Sequence, residues 1–325
     1  METQKTQKKN AKTGVGKMKN LIVVVAIIVL LGCILSYAIY VSQEHGGYGK
    51  KETITVIDDM GRTVMVQLPV QRVISTAPSN TEILFAIGAG DMVVGVDNYS
   101  DYPAEARNIT HIGDFVSLNI ELIVSLKPDV VFAYYGQKEG IMRLEQMGIP
   151  TITIRPQNLD DILREIMLIS TVCGKRGAGE NLTFELRERI ANITEKTKTL
   201  NESARPRVYY ELWNSPFMSA GPGSFINDLI RLAGGKNIAG NSSTDYPVLT
   251  EEYIISANPE VIITSSMNMD TPEKILNRTN WQNMDAIKNH RVYAVDDNIV
   301  SRPGPRIVEG LEALAKIIHP EIFGA

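Results

Sequence analysis

A chain of 325 residues with 44% hydrophobic residues is long enough to bury two separate α/β cores. Its formal net charge of -4, with no basic stripe interleaved with aromatics, excludes nucleic acid as an expected partner. The two cysteines are Cys33 and Cys173, so no intramolecular disulfide can staple the region beyond residue 42, and packing must hold it together.

Residues 1–20 form a basic segment with Lys5, Lys8, Lys9, Lys12, Lys17 and Lys19, and residues 21–41, LIVVVAIIVLLGCILSYAIYV, carry no charge. As a helix the uncharged run would reach roughly 31 Å, enough to cross a bilayer, so a transmembrane anchor is expected. It is longer than the ~7–15-residue apolar core of a signal peptide, and no small-residue cleavage site follows it. LLGC at 30–33 resembles a lipoprotein processing box, but the uncharged, mostly apolar residues after Cys33 are not the start of a polar tether. Six lysines before the span, against Lys50 and Lys51 after it, predict a cytoplasmic N-terminus and an extracellular remainder held at the cell membrane. Asn98, Asn108, Asn181, Asn192, Asn201, Asn241 and Asn277 all stand in Asn-X-Ser/Thr, where chance predicts roughly two or three, so a glycosylated exterior is expected.

Residues 42–52 are polar and glycine-containing and read as a tether. TITVIDDMGRTVMVQL then reads as a hairpin turning at 59–62, and RVISTA as a buried strand. In SNTEILFAIGAG, Ser79 is a plausible N-cap, Glu82 completes a capping box, and Gly88 and Gly90 end the helix. Strand MVVGV, helix 120–126, strand DVVFAY, helix 138–147 and strand TITIR follow. The alternation predicts a parallel sheet with crossover helices, an N-terminal α/β lobe over 53–155. Residues 156–205 form a linker of two helices broken near Gly174 to Gly179, the second long and charged. From 206 to 325 the alternation returns: strand RVYYEL, helix SFINDLIRLAGG, helix 251–257, strand EVIIT, helix 272–278, strand RVYAVD and an amphipathic helix over 306–318. Two Rossmann-like lobes joined by a rigid helix are expected.

The lobes share a phrase. NIELIVSLKPDVVFA and TEEYIISANPEVIIT superpose Glu121 on Glu252, Ile123 on Ile254, Ser125 on Ser256, Pro128 on Pro259 and Val130 on Val261. Each glutamate falls in the first turn of a helix, where a carboxylate offsets the helix dipole by roughly 0.3–1 kcal/mol. Matching positions in matching lobes also put the pair on one face, where a partner with two positive sockets could read both. Six residues before each glutamate stands an aromatic, Phe115 and Tyr246, in a loop ahead of a helix. Such loops carry ligand contacts in α/β lobes.

RVISTAPSNTEILFAIGAGDMVVGVDNYSDYP, GDFVSLNIELIVSLKPDVV and ELWNSPFMSAGPGSFINDLIRLAGGKNIA together resemble the substrate-binding proteins of iron-siderophore, haem and vitamin B12 importers, ABC transporter partners of the rigid-helix class. The resemblance runs from about residue 53 to 323 and, through NYSDYP, is most similar to the vitamin B12-binding branch. It implies ligand-contact positions at Tyr99, Phe115 and Tyr246, where that branch carries a tyrosine and two tryptophans, and at Asn298 and Arg302, where it carries an aspartate and an arginine. Trp213 in ELWNSP is a further cleft candidate, with a core role the alternative. The resemblance also implies that Glu121 and Glu252 dock onto a permease dimer, itself driven by ATPase subunits. The expectation is a monomeric, membrane-anchored binder of a metal-chelate nutrient, a corrinoid ahead of a ferric siderophore or haem, with no cofactor of its own.

An enzyme akin to metal chelatases and a tethered sensor or adhesin are the alternatives, since fold alone does not decide function. No catalytic or metal-ligating set is expected: His45 lies in the tether, His290 before a strand, and His319 in the terminal helix. His111, the one histidine near the presumed cleft, is assigned a structural role over a metal or haem ligand.

Overall fold

The structure, a computed structural model, describes residues 29–37, 52–266 and 270–324. The basic segment, the tether apart from Glu52, and most of the expected anchor lie outside the described residues. Of that anchor, residues 29–37 are helical and exposed, Cys33 included. Among the described residues no helix is long and apolar enough to cross a membrane. Residues up to Glu52 form one unit and Thr53–Ala325 another; the second is described below.

It opens with an antiparallel hairpin, β1 (Thr53–Ile57) and β2 (Thr63–Gln67). Asp58 Oδ1 closes the turn by accepting the N–H groups of Met60 and Arg62, and Gly61 supplies the left-handed φ of 73°. The N-lobe sheet follows: β3 (Val73–Ser75), β4 (Val93–Val96), β5 (Val130–Tyr134) and β6 (Thr151–Ile154), all parallel, in the order β4-β3-β5-β6. Helices α1 (Pro78–Ala86), α2 (Ile120–Ser125) and α3 (Lys138–Gln146) make its crossovers. Two linker helices, α4 (Leu159–Val172) and α5 (Arg176–Thr197), lead to the C-lobe. There β7 (Arg207–Glu211), a short hairpin of β8 (Trp213–Asn214) and β9 (Phe217–Met218), β10 (Lys236–Asn237), β11 (Val261–Ser265) and β12 (Val292–Val295) appear. The C-lobe sheet runs β10-β7-β11-β12, again parallel, with α6 (Phe225–Leu232), α7 (Glu251–Ala257) and α8 (Ile307–Ile318) packed on it.

Both sheets therefore have one strand order, and their central pairs share one register: Val73 faces Val130 in the first as Val208 faces Val261 in the second. Along each strand alternate side chains enter different cores. Val130 and Phe132, like Val261 and Ile263, join a large central core. Val131 and Ala133 enter the outer core of the N-lobe, and Ile262 that of the C-lobe. Burial on both faces explains the near-continuous apolar runs of these strands.

The central core does not stop at a lobe boundary. Ile83 and Phe132 from the N-lobe, Ile166 and Leu186 from the linker, and Leu229 and Leu311 from the C-lobe belong to one contiguous cluster. Polar ties reinforce the packing: Arg189 on α5 makes a two-pronged contact with Glu312 on α8 at 2.8 and 2.9 Å, and the Leu159 N–H at the start of α4 donates to Asp228 on α6.

Two local expectations are corrected. Helix α1 starts before Ser79, at Pro78, whose fixed φ suits the first helical position, so Ala77 holds the cap position and makes no side-chain cap. Glu82 is freed from a capping box, and its buried carboxylate accepts from Arg306 Nε at 3.0 Å across the lobe boundary. The linker break falls at Cys173–Lys175, around Gly174 at φ 67°, the first of the expected glycines and not the second. Gly179 lies inside α5, where a Cβ would come 2.1 Å from Ser170 Oγ of α4, so it permits close helix contact instead of ending a helix.

Candidate ligand-binding site

In a parallel sheet, each crossover helix begins at the carboxyl edge of the strands, where ligands bind. The carboxyl edges of the two sheets enclose a cavity of about 570 Å³, within the usual range of roughly 300–1,000 Å³ for small-ligand sites. The N-lobe contributes Ser79 and Asn80 after β3, Tyr134 at the end of β5 and Tyr135 just after it, and Arg155 after β6. The C-lobe contributes Leu212 after β7, Phe225 at the start of α6, and the pair Asp245 and Tyr246.

The expected aromatics Phe115 and Tyr246 line this cavity from opposite lobes. Phe115 sits at the tip of a tight turn in which Asp114 Oδ1 accepts the N–H groups of Val116 and Ser117 at 2.8 and 2.9 Å. Gly113, at φ 108°, is required there because a Cβ would meet the Ser117 carbonyl at 2.2 Å. Tyr99 rests beside Phe115, ring centroids 5.8 Å apart, and extends the apolar wall outward. Its turn is anchored by the buried Asp97, which accepts the Tyr99 N–H at 3.0 Å. Tyr246 is held where the Asp245 carbonyl accepts the Gly221 N–H and the Pro247 carbonyl accepts the Ser219 N–H.

The other three expected contacts lie elsewhere. Trp213, in the β8–β9 hairpin, donates its indole N–H to the Ser215 carbonyl at 3.0 Å and does not line the cavity. Asn298 turns its Nδ2 onto Asp296 Oδ1 at 2.9 Å. Arg302 is engaged between lobes, 2.6 Å from Asp101 and 3.6 Å from Glu82; its neighbours Ser301 and Pro303 reach the cavity instead. His111 is exposed and outside the lining, and His319 is buried between Glu321 and the Gly234 carbonyl. Among the described residues no cluster of His, Cys, Asp or Glu could hold a metal ion.

Tyr134, Tyr135, Arg155 and Asp245 were missed, although their position at strand ends or beside an expected aromatic was a usable signal. Arg155 lies over the Tyr135 ring at 4.6 Å and 4.0 Å from Asp245 of the opposite lobe. These two are the charged residues of the lining, and their charges cancel. Burial pushes the Tyr134 and Tyr246 phenols above their usual range, so both rings stay neutral at physiological pH. The cavity is thus aromatic on both walls, neutral in sum, and polar in a few places.

Glu121 and Glu252 occupy equivalent first turns of α2 and α7, and both helices begin at the carboxyl edge of their sheets. Both are exposed and have no hydrogen-bond or ion-pair partner among the described residues. Their neighbour Glu251 differs: it accepts the Trp281 indole N–H at 2.9 Å. All seven sequon asparagines are exposed.

Residues 73–299 match the family model described as periplasmic binding protein. An uncharacterized ABC transporter substrate-binding lipoprotein, YvrC of Bacillus subtilis, is 32% identical over 277 residues, covering 83% of this chain and 87% of the relative. A cobalamin-binding protein of Halobacterium salinarum is 32% identical over 276 residues, 82% of this chain and 74% of the relative. The crystal structure of the periplasmic vitamin B12 binding protein BtuF of Vibrio cholerae superposes with a TM-score of 0.68 at 28% identity, covering 77% of this chain and 97% of that one.

Proposed function

Because this chain belongs to the periplasmic binding protein family and is the substrate-binding component of an ABC importer, not an enzyme, we propose that its cargo is a corrinoid, held between the lobes. The observation that carries this reading is the neutral cavity walled by Phe115 and Tyr246 from opposite lobes. Flat aromatic faces on both sides suit a large, flat macrocycle, and the cancelling charges of Arg155 and Asp245 suit one without net anionic charge. The cobalamin-binding relative supports the same choice.

Glu121 and Glu252 dock the loaded protein onto a pair of permease subunits, one glutamate per lobe. Exposed charge pairs of this kind set approach and register more than affinity. Residues 21–41 anchor the chain as a single span, with the lobes outside and the exposed sequons open to glycosylation. The lipoprotein name of the Bacillus relative supplies the competing form, lipidation at Cys33. Intact mass separates the two, since an uncleaved anchor retains residues 1–32.

Cyanocobalamin, haem and a ferric siderophore are titrated separately into the full chain, followed by tryptophan fluorescence and ligand absorbance. Saturable binding of cyanocobalamin at micromolar concentration or below is expected; preference for haem or the siderophore overturns the corrinoid assignment. Reversing both glutamates, Glu121→Lys with Glu252→Lys, is expected to abolish uptake with ligand affinity unchanged. Normal uptake in that variant removes the docking role.

A further inference from the structure

The two charged residues of the cavity lining are each held by their own lobe before they meet. Asp245 rests on a seat of two glycines. The Gly221 N–H donates to the Asp245 carbonyl at 2.7 Å, and a Cβ on Gly221 would meet the Thr244 carbonyl at 2.1 Å. A Cβ on Gly223 would come 2.0 Å from Asp245 Oδ1, so glycine is needed there to leave room for the carboxylate. Arg155 is fixed from the opposite lobe: its backbone N–H donates to Asp59, and its guanidinium covers the Tyr135 ring at 4.6 Å. The two charges meet at 4.0 Å, and neither has another ion-pair partner among the described residues.

Stability does not account for the pair. Its side chains remain 42% and 44% exposed, and so open an ion pair contributes little to folding. Its effect falls on a ligand. Without Asp245 the cavity would present one uncompensated guanidinium beside a flat aromatic wall, an arrangement suited to a carboxylate or another anion. With Asp245 in place that attraction is offset, and a negative group entering beside the pair meets a carboxylate that repels it. Discrimination gains from such a repulsive element, because the faces of Phe115 and Tyr246 would accept a neutral and an anionic macrocycle alike.

Resting on the corrinoid reading above, we infer that Asp245 is the specificity-determining residue of the cavity: it masks Arg155 and so turns a site for anionic chelates into a site for neutral ones. The test uses the full chain, cyanocobalamin, and the monocarboxylic acids made by hydrolysing single peripheral amides, which keep its size and shape and add one negative charge. The readout is the ratio of affinities, parent over acid, for each acid. At least one acid is expected to bind the wild type roughly fivefold or more weakly than the parent. Asp245→Asn, nearly identical in shape, is expected to shrink that ratio by a similar factor or invert it, and Arg155→Gln to widen it. If every acid binds the wild type as the parent does, or if Asp245→Asn leaves the ratio unchanged, the inference is refuted while the corrinoid reading stands. If the wild type binds no corrinoid, or prefers haem with its two carboxylates, both fall. Should Asp245→Asn fail to fold, the Arg155→Gln arm decides, and an unchanged ratio there refutes the inference.

Discussion

Glu82 is the point at which the stiffness of this molecule can be tested. It is 3% exposed on α1 of the N-lobe, and its carboxylate meets two arginines from the opposite lobe: Arg306 Nε at 3.0 Å and Arg302 Nη1 at 3.6 Å. Tyr102 lies over the Arg306 guanidinium at 3.8 Å. Removing one partner of a buried pair typically costs about 3–5 kcal/mol, because a charge is left stranded. Here Arg302 can take up part of the charge, so Arg306→Met alone is expected to cost about 2–3 kcal/mol, below that range. Arg302→Met alone leaves Arg306 in place and is expected to cost under about 1 kcal/mol. Together they strand Glu82, and the cost should exceed the sum of the singles by about 1–2 kcal/mol. Adding Glu82→Met to the double variant should recover most of the loss, since an apolar replacement of the whole cluster leaves no buried charge. Urea denaturation of the five proteins, followed by two probes to check that the transition is single, measures these differences. Additive losses, or no recovery on adding Glu82→Met, would refute the claim that this cluster locks the lobes.

Two further predictions concern the linker helices. Burial pushes the Glu165 carboxyl from 4.5 up to about 8, with the Asp59 charge adding and Arg164 opposing. Its folded pKa is raised, so its contribution to stability is complete below about 4.5 and is lost as pH rises through about 8. Glu165→Gln mimics the protonated form, so its unfolding free energy from urea titration should gain on the wild type between those pH values, by on the order of a few kcal/mol; parallel pH profiles would contradict this. On α5, Gly179→Ala drives a Cβ to 2.6 Å from Ser170 Cβ and should cost about 1–3 kcal/mol. Gly177→Ala, with nothing within 4 Å of the new Cβ, should stabilise by up to about 1 kcal/mol from helix propensity. Equal effects at the two glycines would mean that the α4–α5 contact is not tight.

Much of the fold was legible because it is written locally. Alternating apolar runs and helical stretches reveal parallel crossovers whatever their partners, and Asn119 and Thr250, as short polar residues just ahead of a helix, act as its N-caps. Local signals fell short where a distant residue takes part. Ser79 and Glu82 have the spacing of a capping box, but Pro78 starts the helix early and a partner 224 positions away claims the glutamate. Arg302 has the composition of a ligand contact, yet Asp101, 201 positions away, holds it. Arg155 and Asp245 become one feature only when the lobes close the cavity, and no window of sequence contains both.

The repeated phrase is the clearest case of how far internal physics reaches. Ile123 and Ile254 are fully buried in equivalent outer cores. Ser125 and Ser256 both bond back to the carbonyl three residues earlier, at 2.7 and 2.9 Å. Lys127 and Asn258 both adopt the left-handed conformation, at φ 47° and 46°, that turns the chain into its proline and central strand. Asp129 and Glu260 both accept the N–H at the start of the neighbouring strand region, from Arg72 and Arg207 at 2.8 and 2.9 Å. Each of these matches is explained within its own lobe. Glu121 and Glu252 are not: they are exposed, they lack internal partners among the described residues, and in the second copy Glu251 already offsets the helix dipole. The one matched charge whose work inside the fold is no more than a helix-dipole contribution, shared with Glu251 in the second copy, is thus the one placed at the carboxyl edge of both lobes, which is why its further purpose is sought in a partner with two sockets.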